Sequence, residues 1–78
     1  MDIKELFGWN MRRLRRAMGL SQAALAVRVG VDRAHISLME RGKQNVTLLT
    51  LWHVSVALAA EPAELLARRP DSDKSNRR

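Results

Sequence analysis

The sequence predicts an all-α protein, a compact domain of five short helices. Its apolar residues recur at spacings of three and four, glycines and capping residues divide the chain, and no alternating run is long enough for a strand. The 78 residues are 46% hydrophobic without a cysteine, so the core must form from aliphatic packing. We predict one domain over residues 1–69 and a disordered tail over 70–78, where apolar side chains are lacking.

The first two helices are predicted from an apolar face and from capping residues. The first spans residues 3–18 and ends before Gly19, as it would before a C-terminal cap glycine. Its apolar face consists of Ile3, Leu6, Phe7, Met11, Leu14 and Met18, and the residues off that face include Arg12, Arg13 and Arg16. The second helix, Gln22 to Val29, has Ser21 as its N-cap and stops at Gly30.

The other three helices follow the same punctuation. Asp32 caps a third helix that runs from Arg33 to Arg41. Thr47 caps a fourth that continues to about Ala59, and Pro62 occupies the first turn of a fifth. One face of the fourth helix is predicted to complete the core with Leu48, Leu51, Val54, Ala57 and Leu58.

Charge and composition exclude several classes of function. The formal net charge of +6 favours a polyanionic partner. No apolar run is long enough for a membrane, and the first five residues do not resemble a signal peptide, so we expect a cytoplasmic protein without a membrane partner. Two histidines and no cysteine argue against a metal site. Without a phosphate loop or a paired-carboxylate pocket we expect no enzyme, no cofactor and no small-molecule ligand.

The second and third helices have the layout of a helix-turn-helix, with a tight turn at Gly30 and Val31. Many helical hairpins share that spacing, but the residues are more specific. Residues 14–26 and 36–43 resemble the lambda-repressor/Cro-like family, also called the XRE family. The resemblance runs from about Phe7 to Leu66, and residues 32–42 look most like those of restriction–modification controller proteins and phage-type regulators. It implies a lambda-repressor-like domain that binds double-stranded DNA and regulates transcription.

The exposed face of the third helix is predicted to enter the major groove. Arg33 stands at the N-terminal end, where a guanidinium can bridge guanine O6 and N7, although it also fits a solvated first-turn residue. Leu38 fits a thymine methyl contact and an exposed leucine without a role equally well. The predicted base contacts are Arg33, Ala34, His35, Ser37 and Leu38, of which His35 departs from the aromatic or hydroxyl residues of controller-like proteins.

Phosphate contacts are predicted in the sequence before and after the third helix. By resemblance, the Gln22 amide contacts a phosphate, reinforced by the N–H groups of its helix, although glutamine is also a good helix former. The loop after the third helix is placed for further backbone contacts by Arg41, Lys43, Gln44 and Asn45. The resemblance also implies a structural ion pair between Arg15 and Glu40.

The second side of the fourth helix carries Leu49, Trp52, His53 and Val56, and three of these four residues are apolar. A helix that is apolar on both sides is buried on both sides, so we predict a two-fold homodimer through the fourth and fifth helices. Its operator would be roughly palindromic, with recognition helices about 34 Å apart. The alternative is that the fifth helix covers these residues. A second functional hypothesis is an antitoxin, which would hold a toxin at the surface around Trp52 and bind DNA only for autoregulation.

Overall fold

The computed structural model describes residues 1–68, so the end of the predicted domain at residue 69 and the predicted tail over 70–78 lie outside the described residues. The described chain folds into five helices without a strand, which confirms the all-α prediction. They are α1 (Ile3–Ala17), α2 (Gln22–Val29), α3 (Arg33–Glu40), α4 (Leu48–Ala57) and α5 (Pro62–Leu65). None of these helices combines the length and the apolarity that crossing a membrane requires.

Local hydrogen bonds start the helices at the predicted capping residues. The side chains of Ser21, Asp32 and Thr47 each accept a hydrogen bond of 3.0–3.1 Å from the backbone N–H three residues further on. Asp2 and Glu5 form a reciprocal capping box at the start of α1. Each cap satisfies an N–H group that has no partner within its helix, so the helix starts are determined by neighbouring residues.

One apolar core joins the five helices. Its buried members are Phe7, Met11, Leu25, Ala26, Ile36, Met39, Val54, Ala57, Leu58 and Leu65. The polar Asn10 is buried beside them, with 1% of its surface exposed. Its amide nitrogen donates to the carbonyl of Leu65 at 3.1 Å and to that of Ala67 at 2.7 Å, which holds the chain after α5 against α1.

The backbones of α1 and α3 meet at Gly8. A Cβ atom there would overlap the carbonyl oxygen of Met39 and lie 2.7 Å from that of Glu40. Only glycine permits this approach, because the carbonyls belong to the helix backbone and cannot turn away. Gly8 therefore sets the position of α3 relative to α1.

Three residues predicted to face inward are exposed instead: Ile3, Met18 and Leu48. Leu48 is 82% exposed although it shares the helical face of Leu51 and Val54. It is the first residue of α4, just as Ile3 is the first of α1, and Met18 follows the last residue of α1. Helical spacing gives the direction of a side chain but not how far the core extends along the helix. Burial predicted from spacing is therefore wrong for these three residues at helix ends.

Candidate nucleic-acid interface

The turn between α2 and α3 is built by one glycine and one cap. Gly30 adopts a left-handed conformation (φ +89°), and its N–H donates to the Ala26 carbonyl at 2.8 Å. Val31 follows, and Asp32 then caps α3. The two helices pack through buried side chains that include Leu25 and Ile36, which leaves the opposite side of α3 facing outward. This geometry is a helix-turn-helix.

The residues predicted to contact bases occupy the outward side of α3. Arg33 and Ala34 are exposed, Ser37 and Leu38 are half-buried, and these four share an arc of about 140° around the helix axis. His35 is also half-buried but lies about 60° beyond that arc, on the border with the core. The structure thus brings four of the five together and places His35 at the edge.

The loop after α3 divides the predicted phosphate contacts into two groups. Arg41 and Lys43 are exposed directly at the C-terminal end of α3, where the N–H of Lys43 donates to the Leu38 carbonyl at 3.0 Å. Gln44 and Asn45 instead line a mostly apolar groove between the start of α1 and the start of α4. Only the first group adjoins the outward side of α3.

A buried ion pair lies behind the helix-turn-helix. The Arg15 guanidinium contacts both oxygens of the Glu40 carboxylate, Nε to Oε2 at 2.6 Å and Nη2 to Oε1 at 3.0 Å. The two side chains are 9% and 3% exposed. Arg15 also donates through Nη1 to the Leu20 carbonyl at 2.8 Å. These contacts join α1, the turn before α2, and the end of α3.

The positive charge of Arg15 in this pair does not change over the ordinary range of pH. Hydrogen bonding to Glu40 raises the pKa of Arg15, against the opposing effect of burial. A raised pKa means that the stabilisation is present below the ordinary arginine value and is lost only as pH rises above it. Arg15 therefore remains cationic throughout the pH range in which proteins fold.

The Gln22 side chain extends this network to α3. Its Nε2 donates to Glu40 Oε1 at 3.1 Å, and its Oε1 accepts from Arg33 Nη1 at 3.1 Å. Contacts therefore run from the buried Arg15 to the exposed Arg33. Gln22 keeps a second Nε2–H that takes no part in these two hydrogen bonds. The sequence places Gln22 and Arg33 at the first positions of adjacent helices but does not give the directions of their side chains, so this contact was not predicted.

The outward surface of the helix-turn-helix is suited to an anion. Arg33, Arg41 and Lys43 are exposed, whereas Glu40 is buried against Arg15. In residues 1–68 no three histidine, aspartate or glutamate side chains gather as a metal ion would require. This surface therefore combines exposed cations, which can neutralise anions, with the outward side chains of α3.

A different surface lies on α4. Leu49 is 64% exposed, Trp52 55% and Val56 61%, and His53 beside them is exposed too. The four residues of α5 leave this face open, although Pro62 lines a shallow groove with Leu49 and Trp52. In a single chain this apolar face remains in contact with water.

Comparison with known proteins gives consistent matches. The helix-turn-helix family model HTH_3 matches residues 11–65. The chain is 39% identical over 66 residues to the uncharacterized HTH-type transcriptional regulator y4dJ of Sinorhizobium fredii, covering 85% of this chain and 86% of that protein. It is 42% identical over 69 residues to control protein C.SmaI of Serratia marcescens, covering 88% and 82%. The crystal structure of the restriction–modification controller C.AhdI from Aeromonas hydrophila superposes with a TM-score of 0.73 at 46% identity, covering 76% and 86%.

Proposed function

Because the chain belongs to the HTH_3 helix-turn-helix family of DNA-binding transcriptional regulators, we propose that it acts as a homodimer on a roughly palindromic operator. The observation that carries this proposal is the apolar face of α4. Large apolar side chains grouped on one exposed face are typical of protein–protein contacts. A two-fold contact through this face would present two copies of α3 to successive turns of one side of a duplex.

In the proposed complex the two kinds of contact have different roles. Arg33, at the N-terminus of α3, would contact a guanine, and its neighbours on the outward side of α3 would contact adjacent bases. Gln22, Arg41 and Lys43 would contact phosphates, which provide affinity and register but little sequence information. The hydrogen bond between Gln22 and Arg33 supports this arrangement, because it holds the guanidinium at the end of α3 before DNA arrives.

The biological role we propose is that of a restriction–modification controller or a related phage-type regulator. C.SmaI and C.AhdI are controllers by name, and the match to each covers most of both chains. Such a protein would act in the cytoplasm without catalysing a reaction. If it dimerises only weakly, its occupancy of the operator would rise steeply with its own concentration, which suits autoregulation.

Selection from a random duplex pool at physiological salt tests the proposal. We expect the bound fraction to be enriched in an inverted repeat whose half-sites lie about one helical turn apart. Enrichment of a single half-site would contradict the dimer and leave a monomeric regulator. Binding that vanishes with salt, without enrichment, would leave phosphate affinity alone. The apolar face around Trp52 would then favour the antitoxin hypothesis, and the toxin should co-purify.

The division of labour has its own test in two variants. Arg33→Ala should relax the preference at one base position of each half-site, by about 1–3 kcal/mol. Lys43→Ala should weaken binding to every duplex alike and reduce the salt dependence by about one unit of slope. Binding measured to the selected operator and to single-base variants at several salt concentrations separates the two. Equal effects of both variants would contradict the proposed roles.

A further inference from the structure

The outer face of α1 is a third surface, distinct from the helix-turn-helix and from the apolar face of α4. Trp9, Arg12, Arg13 and Arg16 line a shallow groove of about 340 Å³. At 3.6 residues per turn they share an arc of about 100°, opposite the buried Phe7 and Met11. We call these four residues the α1 basic face.

One guanidinium of the α1 basic face is held in place by buried structure. Arg13 Nη2 donates to Asn10 Oδ1 at 3.2 Å, and its guanidinium carbon lies 5.4 Å from the centre of the Trp9 ring. Asn10 is itself fixed by its hydrogen bonds to the carbonyls of Leu65 and Ala67. A side chain ordered before binding loses less entropy when a partner arrives, so this face is prepared for contact.

The charges of this face are not explained by the stability of α1. Within residues 1–68, no acidic side chain lies within ion-pair distance of Arg12, Arg13 or Arg16. Arginines three and four positions apart repel one another on a helix. The helix dipole favours cations only in the last turn, which contains Arg16 but neither of the other two. An external anion would relieve the repulsion.

We propose that the α1 basic face binds an acidic segment of another protein. Its three guanidinium groups supply the complementary charge, and Trp9 lines the same groove. Arginine and tryptophan are also the residues that most often dominate the energy of protein interfaces.

DNA is the less favourable occupant on geometric grounds. α1 reaches α3 through Gly8 and Arg15, and these residues lie about 100° around the helix from the centre of the α1 basic face. A duplex held by the outward side of α3 therefore lies to the side of this face. Partners within the protein itself are also unsuited. Residues 69–78 contain four basic and two acidic residues, and a second copy has a net charge of +6.

The test is a titration of the full-length protein followed by NMR of its arginine Nε–H and tryptophan indole signals. The probes are a capped decapeptide of glutamate and a 16-base-pair duplex of random sequence. We expect the peptide to shift the Trp9 and Arg13 signals with a saturable curve. The duplex should shift Arg33 and Arg41 while it leaves Arg12 and Arg16 unchanged. Because the result is recorded residue by residue, it does not depend on the proposed operator or on dimerisation.

Two double variants that each remove two positive charges separate this face from general attraction. Arg12→Gln with Arg16→Gln should weaken peptide binding, measured at the Trp9 indole, about fivefold. The matched control is Arg28→Gln with Arg68→Gln, two exposed arginines outside the face, and should change it less than twofold. Equal losses in the two variants would overturn the proposal. Shifts of Arg12 and Arg16 by the duplex as large as that of Arg33 would overturn it too, in favour of a DNA contact.

Discussion

The helix-turn-helix and the exposed side of α4 differ in how far a single chain completes them. Behind the helix-turn-helix, Arg15, Glu40 and Gln22 are joined by hydrogen bonds of 2.6–3.1 Å. On α4, by contrast, Trp52 and its apolar neighbours are more than half exposed. α3 is thus oriented by contacts within the chain itself, whereas the apolar side of α4 stays in contact with water unless the proposed dimer covers it. If the proposed dimer forms, the chain would fold as a monomer and its function would still depend on its concentration.

The largest effect on stability is expected from breaking the ion pair between Arg15 and Glu40 behind the helix-turn-helix. Glu40→Ala leaves the Arg15 charge buried without a carboxylate, which costs about 3–5 kcal/mol in comparable sites. A domain of this size has a free energy of unfolding of about 4–12 kcal/mol, so the variant should be severely destabilised. Urea denaturation followed by circular dichroism measures the loss.

A double variant shows whether charge or packing is responsible. Arg15→Met with Glu40→Leu removes both charges and keeps apolar volume, so it should cost clearly less than Glu40→Ala alone. It also removes the partners of Gln22 and of the Leu20 carbonyl, so some loss of stability should remain. If the single and the double variant were equally unstable, the loss would come from the packing and hydrogen bonds of the two side chains and not from an unpaired charge.

On the exposed apolar face of α4, Trp52→Glu should dissociate the proposed dimer without unfolding the chain. Tryptophans at interface centres contribute about 2–4 kcal/mol, so the dimer should dissociate at a concentration at least about thirtyfold higher. Sedimentation equilibrium measures the dissociation constant of the dimer. The matched control is Val27→Glu, which places the same charge on an apolar residue of α2 that is 83% exposed. Equal weakening by both variants would show that the added charge acts through repulsion and that α4 is not the interface.

The same contrast separates what the sequence predicts from what it does not. Ser21, Asp32 and Thr47 were identified as helix starts because a cap depends on residues three positions apart. The exposed side of α4 was predicted because apolar spacing shows the direction of side chains. The Gln22–Arg33 hydrogen bond and the burial of Asn10 were not, because both depend on how distant elements pack.

Gly8→Ala tests the contact that positions α3. Alanine is the better helix former by about 1 kcal/mol, yet here its Cβ would overlap two carbonyls of α3. We expect a net loss of about 1–3 kcal/mol in urea denaturation, together with weaker operator binding, as in overpacked cores. Gly30→Ala is the control, because it is strained by its positive φ but meets no atom within 4 Å. A stabilised Gly8→Ala variant would mean that α1 and α3 can move apart.

The smallest effect is expected where α4 ends. The helix-turn-helix and its flanking turns have glycine at three left-handed positions, Gly19, Gly30 and Gly42, whereas the chain after α4 has Ala59 at φ +51°. An alanine in the left-handed conformation costs about 1–2 kcal/mol of folding free energy, and glycine avoids this cost. Part of the gain is lost because glycine gives the unfolded chain more conformational entropy. Ala59→Gly should therefore stabilise the fold by about 0.5–1 kcal/mol, measured by urea denaturation. Ala23→Gly, at an exposed position of α2, should instead destabilise it by a similar amount. A loss in both variants would mean that the strain at Ala59 is already relieved by its surroundings, and that the end of α4 is as well adapted to its backbone as the turns around the recognition helix.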